Sequence, residues 1–474
     1  MRIAILHYHL RAGGVSRIID LAVKALLESG HEVAVIAGSL PHQKSLLAPQ
    51  CVGLVLGLNY SSHCSDIGEL GREIDALARS MLGGAPDIWH LHNPTLGKNP
   101  ALSMLAGRWA DEGRAMVFQL HDFAEQGRPT NYRALREAAA SVGVTLGEFL
   151  YPMHPRVRYA VLTSADAALL AAAGLKPGAV VLPNPVQTLP MEAPFQASVI
   201  GAQEYLVYPT RAIARKNLGE VLLWSSVMKP GQKLVVTMAP EEPSSRAEHD
   251  LWEEFAKRHD LPVVFDSVTR FGRPLGDFIA GSRAAITTSI REGFGMAYLE
   301  PWLLNTAVVG RDLPKVTSDF RLKGLSFDWL YPSIPVSLLA KERREHLLIT
   351  RKTEIENALA YGINPDEEVS LLDGDAYKEI VDFGHLPSIL QRRVLERCLS
   401  ESFFPVSAAD LHIDLAVSHT SSMNQSLTEN FGLESYVRRL EKLYSSTLSV
   451  DENLAQESTY LDPMAVLAEF LKIR

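Results

Sequence analysis

Cysteine is scarce: Cys51, Cys64 and Cys398 are the three in 474 residues. Their spacing fits neither a disulfide framework nor a zinc site, which points to a reducing, cytoplasmic setting. No apolar run is long enough to span a bilayer, although peripheral membrane contact is left open. The segment MRIAILHYH reads as a short strand rather than as the start of a signal peptide. Positive charge is in deficit, with a net charge of −9, so a globally basic surface for nucleic acid is not supported, while a local basic cleft is left open. Several chemical motifs are missing. There is no G-x-S-x-G, no P-loop and no G-x-G-x-x-G, and the second strand ends in Ala37-Gly38 rather than in an acid for a ribose diol. A Rossmann dehydrogenase is thereby disfavoured. No metal-ligand set stands out; Asp373-Gly374-Asp375 reads as a loop, and no metal or other cofactor is expected.

What remains is an ordinary globular composition, 47% apolar and 21% charged, in a chain too long for one core. Residues Ile3 to Leu6 read as a buried strand, followed by the turn Arg11-Ala12-Gly13-Gly14 and a helix from Val15 to Ser29 that stops at Gly30. A strand from His31 to Ala37 completes a β-loop-α-β opening. Further strands are expected at 88–91, 116–120, 160–163 and 180–182. After Leu182-Pro183-Asn184-Pro185-Val186 and a linker, a second alternation begins. It has strands at 205–208, 233–238, 263–265 and 284–286, with helices at 218–227, 244–259 and 275–281. The reading is an α/β chain of two doubly wound domains, 1–186 and 187–474. From about residue 320 the second carries a helical extension, whose last helix crosses back to the first domain.

Four constellations have chemical content. Gly13 and Gly14, with Arg17 in the following turn, would let backbone approach a ligand at a helix start, although a plain tight turn reads equally well. Arg211 and Lys216 place two cations between a strand and a helix, where a pyrophosphate leaving group needs its charge neutralised; a solvated basic loop is the alternative. Glu292 and Glu300 bracket Gly293, Phe294 and Gly295, with seven residues between the two acids. A helix starting near Met296 would set Glu300 in its second turn, about 6–8 Å along the axis, so the acids would hold two parts of one ligand. Their bland reading is a surface acid and a core phenylalanine. His121, after Gln119-Leu120, and His92-Asn93 end two apolar strands, and polar clusters at two neighbouring strand ends favour a site over structural histidines.

In this order, with the E-G-F-G-x-x-x-x-E run and the following Pro301 to Pro314, the chain resembles the GT-B-fold retaining glycosyltransferases of family 4 over roughly residues 1–315. The resemblance implies two Rossmann-like domains facing a cleft and transfer of a hexosyl unit from a nucleoside-diphosphate sugar to an acceptor hydroxyl, without metal. It implies that Arg211 and Lys216 hold the diphosphate. It puts Glu292, with backbone of Gly293, Phe294 and Gly295, on the donor sugar and Glu300 on the ribose. His121 would then lie beside the sugar, with Gly13 and Gly14 near the phosphates and acceptor. A saccharide or small metabolite is the expected acceptor rather than a lipid, and homo-oligomerisation is left open. The sequence departs from the family in Asn305, which replaces a glycine, in Pro301-Trp302, and in residues 320–336, which replace a glycine-rich segment. Another GT-B activity, an epimerase or a phosphorylase, and a non-catalytic nucleotide-sugar binder are the alternative readings.

Overall fold

The computed structural model describes residues 1–62, 66–364, 379–450 and 458–471. Cys64 and the Asp373-Gly374-Asp375 loop lie outside them; Cys51 and Cys398 are buried free thiols. The chain divides into two compact units, one of Met1–Pro185, Ile355–Val369 and Phe431–Arg474, the other of Val186–Glu354 and Ser370–Asn430.

The first unit is built on β1 (Arg2–His7), β2 (Glu32–Ala37), β3 (Val52–Leu54), β4 (Ile88–His92), β5 (Met116–Leu120), β6 (Pro152–Met153), β7 (Val157–Val161) and β8 (Val180–Val181). All but β6 form one parallel sheet in the order β3-β2-β1-β4-β5-β7-β8. Every residue of β4 and β5 is buried, as a strand covered on both faces requires. The helix Gly14–Glu28 buries Ile18, Ile19, Ala22 and Leu26, and Gly30 takes the left-handed conformation (φ 79°) just past its end. A late helix, Leu433–Leu448, belongs to the same core: Tyr436, Val437, Leu440, Leu443 and Tyr444 pack with Ile3, Ile5, Ile18 and Val117. Burying each such side chain stabilises the unit by about 1.5–3 kcal/mol.

The second unit carries β9 (Glu204–Arg211), β10 (Gln232–Met238), β11 (Val263–Val264), β12 (Ala284–Thr287) and β13 (Val308–Gly310), parallel in the order β11-β10-β9-β12-β13. The short β14 (Pro335–Ser337) and β15 (Ile380–Asp382) pair antiparallel, and in the first unit β16 (Thr459–Tyr460) pairs with β6. Both large sheets reverse their order at the first strand, between β1 and β4 and between β9 and β12. The crevice outside the carboxyl ends of those strands is where open α/β sheets bind ligands.

One buried acid makes the stability of the first unit pH-dependent. Glu125, just beyond β5, accepts a 3.0 Å hydrogen bond from Tyr151 at one carboxyl oxygen, while the other is buried without a partner. Burial pushes its carboxyl up to about 7, against an ordinary 4.5. The folded chain therefore keeps this proton when the unfolded chain has lost it. The stabilisation is complete below about pH 4.5 and is lost as pH rises through about 7. Glu125→Gln is expected to flatten that fall, a difference of about 2.5 kcal/mol between pH 5 and pH 8 in the free energy of urea unfolding. Parallel curves for the two proteins would show that Glu125 is not the titrating group.

Candidate functional site

In the second unit the site forms where β9 and β12 end. Arg211 is the last residue of β9, and Ala214–Lys216 make one 3₁₀ turn before Asn217 (φ 60°) starts the helix Leu218–Ser226. The loop after β12 is stitched to this turn. The Thr288 hydroxyl donates to the carbonyls of Lys216 (2.9 Å) and Asn217 (3.1 Å), Tyr208 donates to Lys216 (2.7 Å), and the Ile290 amide donates to Arg215 (2.9 Å). These bonds fix Glu292 against Lys216. Its carboxylate accepts from the Lys216 ammonium at one oxygen and from Arg215 at 2.7 Å on the other. The Glu292 side chain is only 6% exposed and that of Lys216 12%. Burial would raise the Glu292 carboxyl, but the Lys216 and Arg215 charges outweigh it and hold it below the usual carboxylate range.

The expected helix after Gly295 is absent. Met296–Tyr298 and Glu300–Leu304 are separate 3₁₀ turns, broken at Leu299. Pro301 has no amide hydrogen to continue an α-helix, so Glu300 does not ride in a second α-turn and the axial spacing derived from one does not apply. Glu300 is half-buried at the start of the second turn, close enough for its charge to favour the protonated Lys216. Gly295 needs to be glycine: φ is 91°, and a Cβ would stand 2.7 Å from Val316. Gly293 is half-buried. Phe294 is core, edge-on to Phe320 with 5.5 Å between ring centroids. Arg211 stands apart from the Glu292 cluster, 41% exposed and paired with Glu241 at 3.1 Å.

The departures from the family pattern have physical reasons. Asn305 has φ 55°, a left-handed position that glycine fills freely and asparagine tolerates. Trp302 is fully buried against Trp329 (5.8 Å between ring centroids), so the segment replacing the glycine-rich element supplies packing. Beneath the site, Arg311 at the end of β13 meets Glu220 through two bonds (3.0 and 2.6 Å) and Asp382 through two more (2.6 and 2.9 Å). Glu220 also accepts from Asn217 (2.8 Å), the residue after Lys216, and from Tyr331 (2.7 Å).

In the first unit the ends of β1, β4 and β5 carry five histidines, His7, His9, His90, His92 and His121. His92 Nδ1 and His121 Nε2 are 2.8 Å apart, so one of the two carries the shared proton. His90 and His92 stack, with 4.4 Å between centroids, and Tyr444 lies 2.8 Å from His90 Nδ1. Burial, then the charge of neighbouring imidazoles, pulls His7 and His121 down to about 3; burial does the same to His90. At neutral pH this is an uncharged hydrogen-bonding wall. Asn93, at φ 55°, clamps it: its side-chain oxygen accepts from the His121 amide (2.6 Å) and its carbonyl from the Tyr8 hydroxyl (2.6 Å). Asn93 thus holds the strand ends in place. Gly13 is extended and Gly14 has no atom within 4 Å of a built Cβ, so neither glycine is demanded by backbone or packing, and the space beside the helix start is open. Arg17 is half-buried in the first turn of that helix.

Sequence reasoning passed over Arg215 and the pair His7 and His9. The signals were there: a second cation adjoining Lys216, and an H-x-H repeat in which residues two apart share a face, used at both β1 and β4. It also passed over His249, Asp250 and Glu253, whose potential ligand atoms lie within 4.8 Å of one another. His249 is already committed, 3.3 Å from Asp250 and 3.2 Å from Asp266, which make it more basic despite its burial. That makes the group an ion-pair cluster. Among the described residues no helix is long and apolar enough to cross a membrane.

Residues 12–188 match the profile of Glycosyltransferase Family 4. The chain is 23% identical over 471 residues to a mannosylglucosyl-3-phosphoglycerate synthase of Petrotoga mobilis, covering 92% of this chain and 89% of that one. Among solved structures, sucrose-phosphate synthase of Thermosynechococcus elongatus matches with a TM-score of 0.54 at 13% identity, over 95% of this chain and 99% of the other. HepE of Anabaena, in complex with UDP and glucose, matches with a TM-score of 0.55 at 13% identity, over 94% and 100%. The fold is GT-B, as the resemblance implied.

Proposed function

We propose, from the premise of a GT-B glycosyltransferase with a family 4 first domain, that this chain moves a hexosyl unit from a nucleoside-diphosphate sugar to a soluble acceptor hydroxyl with retention of anomeric configuration. The observation that carries the reading is the buried contact of Glu292 with Lys216 and Arg215 at the β9/β12 reversal. The carboxylate satisfies the two cations. A diphosphate arriving at Lys216 takes over that role and releases Glu292 to accept hydrogen bonds from sugar hydroxyls. Arg211 and Arg215 add charge for the leaving diphosphate, so side-chain cations do the neutralising work and no metal is needed. Glu300 takes the ribose hydroxyls. On a retaining course the leaving phosphate oxygen accepts the acceptor proton as the new bond forms on the same face, and uncharged His121 contributes hydrogen bonding rather than acid catalysis. The acceptor is a saccharide or small metabolite, consistent with the glycosylated phosphoglycerate in the name of the Petrotoga relative.

A thermal-shift panel of UDP, GDP and ADP and their sugars tests the donor assignment, because a ligand of the folded state raises the melting temperature by mass action. Donor hydrolysis and transfer assays with the best binder follow. Glu292→Ala is expected to lower transfer about a hundredfold while the free nucleoside diphosphate binds within a few-fold of wild type. Equal losses in both would remove Glu292 from the sugar, and the absence of any nucleotide stabilisation would remove the whole reading.

A further inference from the structure

Four loops of the first unit converge on the exposed ring of Tyr60. Arg11 follows β1, Tyr60 lies beyond β3, Lys98 follows β4 and Arg128 follows β5, so all four sit past carboxyl ends of parallel strands. The Arg11 guanidinium carbon lies 5.6 Å and the Lys98 ammonium 5.0 Å from the Tyr60 ring centre, and the His9 ring 4.8 Å away. The Arg128 charge acts on both Tyr60 and Lys98. The loops are tied down: Asn99 donates to the carbonyls of Gly57 (2.7 Å) and Asn59 (2.8 Å), and the Ser61 amide donates to Lys98 (2.9 Å).

The charge of this cluster is unbalanced. Asp122 pairs with Arg128 at 2.5 Å, but among the described residues neither Arg11 nor Lys98 makes an ion pair. In a chain with 55 acidic and 46 basic side chains, cations gathered around one ring with a single carboxylate run against composition. Like charges held close repel unless an anion joins them. The adjoining Gly13-Gly14 turn leaves open space and opens a helix of 15 residues.

We propose that Arg11, Lys98 and Arg128, gathered around Tyr60, form a subsite for a phosphate group carried by the acceptor. The proposal rests on the glycosyltransferase reading above and adds the acceptor's chemistry to it. Arg11 and Lys98 supply two charges that form no ion pair among the described residues, the single carboxylate of Asp122 is shared between its pairing with Arg128 and a weaker pull on Lys98, and the Tyr60 hydroxyl is the neutral donor.

The test uses the full chain with inorganic phosphate as probe, titrated calorimetrically at constant ionic strength, in Lys216→Gln so that the diphosphate position does not compete. Saturable binding is expected. It should weaken about tenfold or more when Lys98→Gln and Arg128→Gln are added, and several-fold with the exposed single change Arg11→Gln, which leaves folding undisturbed. Affinity that is equal with and without these changes, or no saturable binding, overturns the subsite. Glucose 6-phosphate against glucose, and phosphatidic acid vesicles against phosphatidylcholine vesicles, then assign the phosphate to a metabolite or to a lipid headgroup; a preference in either arm that the same changes abolish supports the subsite. Nucleoside diphosphate binding to the Lys98→Gln/Arg128→Gln chain with native Lys216 is read separately. Its loss in wild type as well sinks the donor reading and leaves the phosphate result standing.

Discussion

Lys216→Ala is expected to lower turnover by roughly two to three orders of magnitude, the loss typical of deleting one preorganised charge from a developing anion. The side chain sits on the one turn that β9 and β12 hold jointly, and its ammonium contacts the buried Glu292 carboxylate. Removing it has two consequences. On the proposed reaction the departing diphosphate would lose a cation that needs no reorganisation, which would lower kcat and kcat/KM together. Glu292 keeps Arg215 as its one paired cation, with Ser289 as a further hydrogen-bond partner. Lys216→Arg should recover part of the rate, because the charge returns with a different reach. Arg211→Ala should cost less, since Arg211 is 41% exposed and already shares its charge with Glu241. Steady-state kinetics with far-UV circular dichroism as the folding control decides the matter. A Lys216→Ala enzyme with wild-type rates would take the diphosphate away from this residue.

Arg311→Met is expected to destabilise the second unit by about 3–5 kcal/mol, the usual penalty for breaking a buried ion pair from one side. Its guanidinium is 3% exposed and bonds both Glu220, 0% exposed, and Asp382, 14% exposed. The methionine would leave two carboxylates buried without their cation. Arg311→Met with Glu220→Gln should recover much of the loss, since one stranded charge is gone. The damage should also reach the proposed donor site: Glu220 accepts from Asn217, whose left-handed backbone ends the Lys216 turn. Denaturant midpoints report the first effect and nucleoside diphosphate affinity the second. An unchanged midpoint would mean that the network is fully replaceable by packing.

Much of the scaffold was legible because parallel strands buried on both faces read as apolar runs, as in Met116–Leu120, and because glycines such as Gly30 mark helix ends. The residues of the proposed donor side were singled out by type, Lys216 and Glu292 among them. Their contact was not, because it depends on Thr288 and Tyr208 hydrogen-bonding to backbone from other strands, and no local pattern encodes that. The helix expected from Met296 fails for a local reason: a glycine-bearing turn after a strand reads as a helix start, but Pro301 has no amide hydrogen to continue an α-helix, and the chain makes two 3₁₀ turns instead. The basic cluster around Tyr60 was invisible because residues 11, 60, 98 and 128 meet only after the sheet has formed.

The helix Leu433–Leu448 has a bearing on synthesis. It supplies Tyr436, Leu440 and Tyr444 to the core beside β1 and covers His90, yet it emerges from the ribosome after all of the second unit. Until then one face of the nascent first sheet lacks its partner, and Ile3, Ile5 and Val117 remain without part of their packing. The first-made unit is therefore the last to be completed. The second is in effect an insert within it, and a fragment ending at Pro185 would be an unfinished body rather than a separable domain.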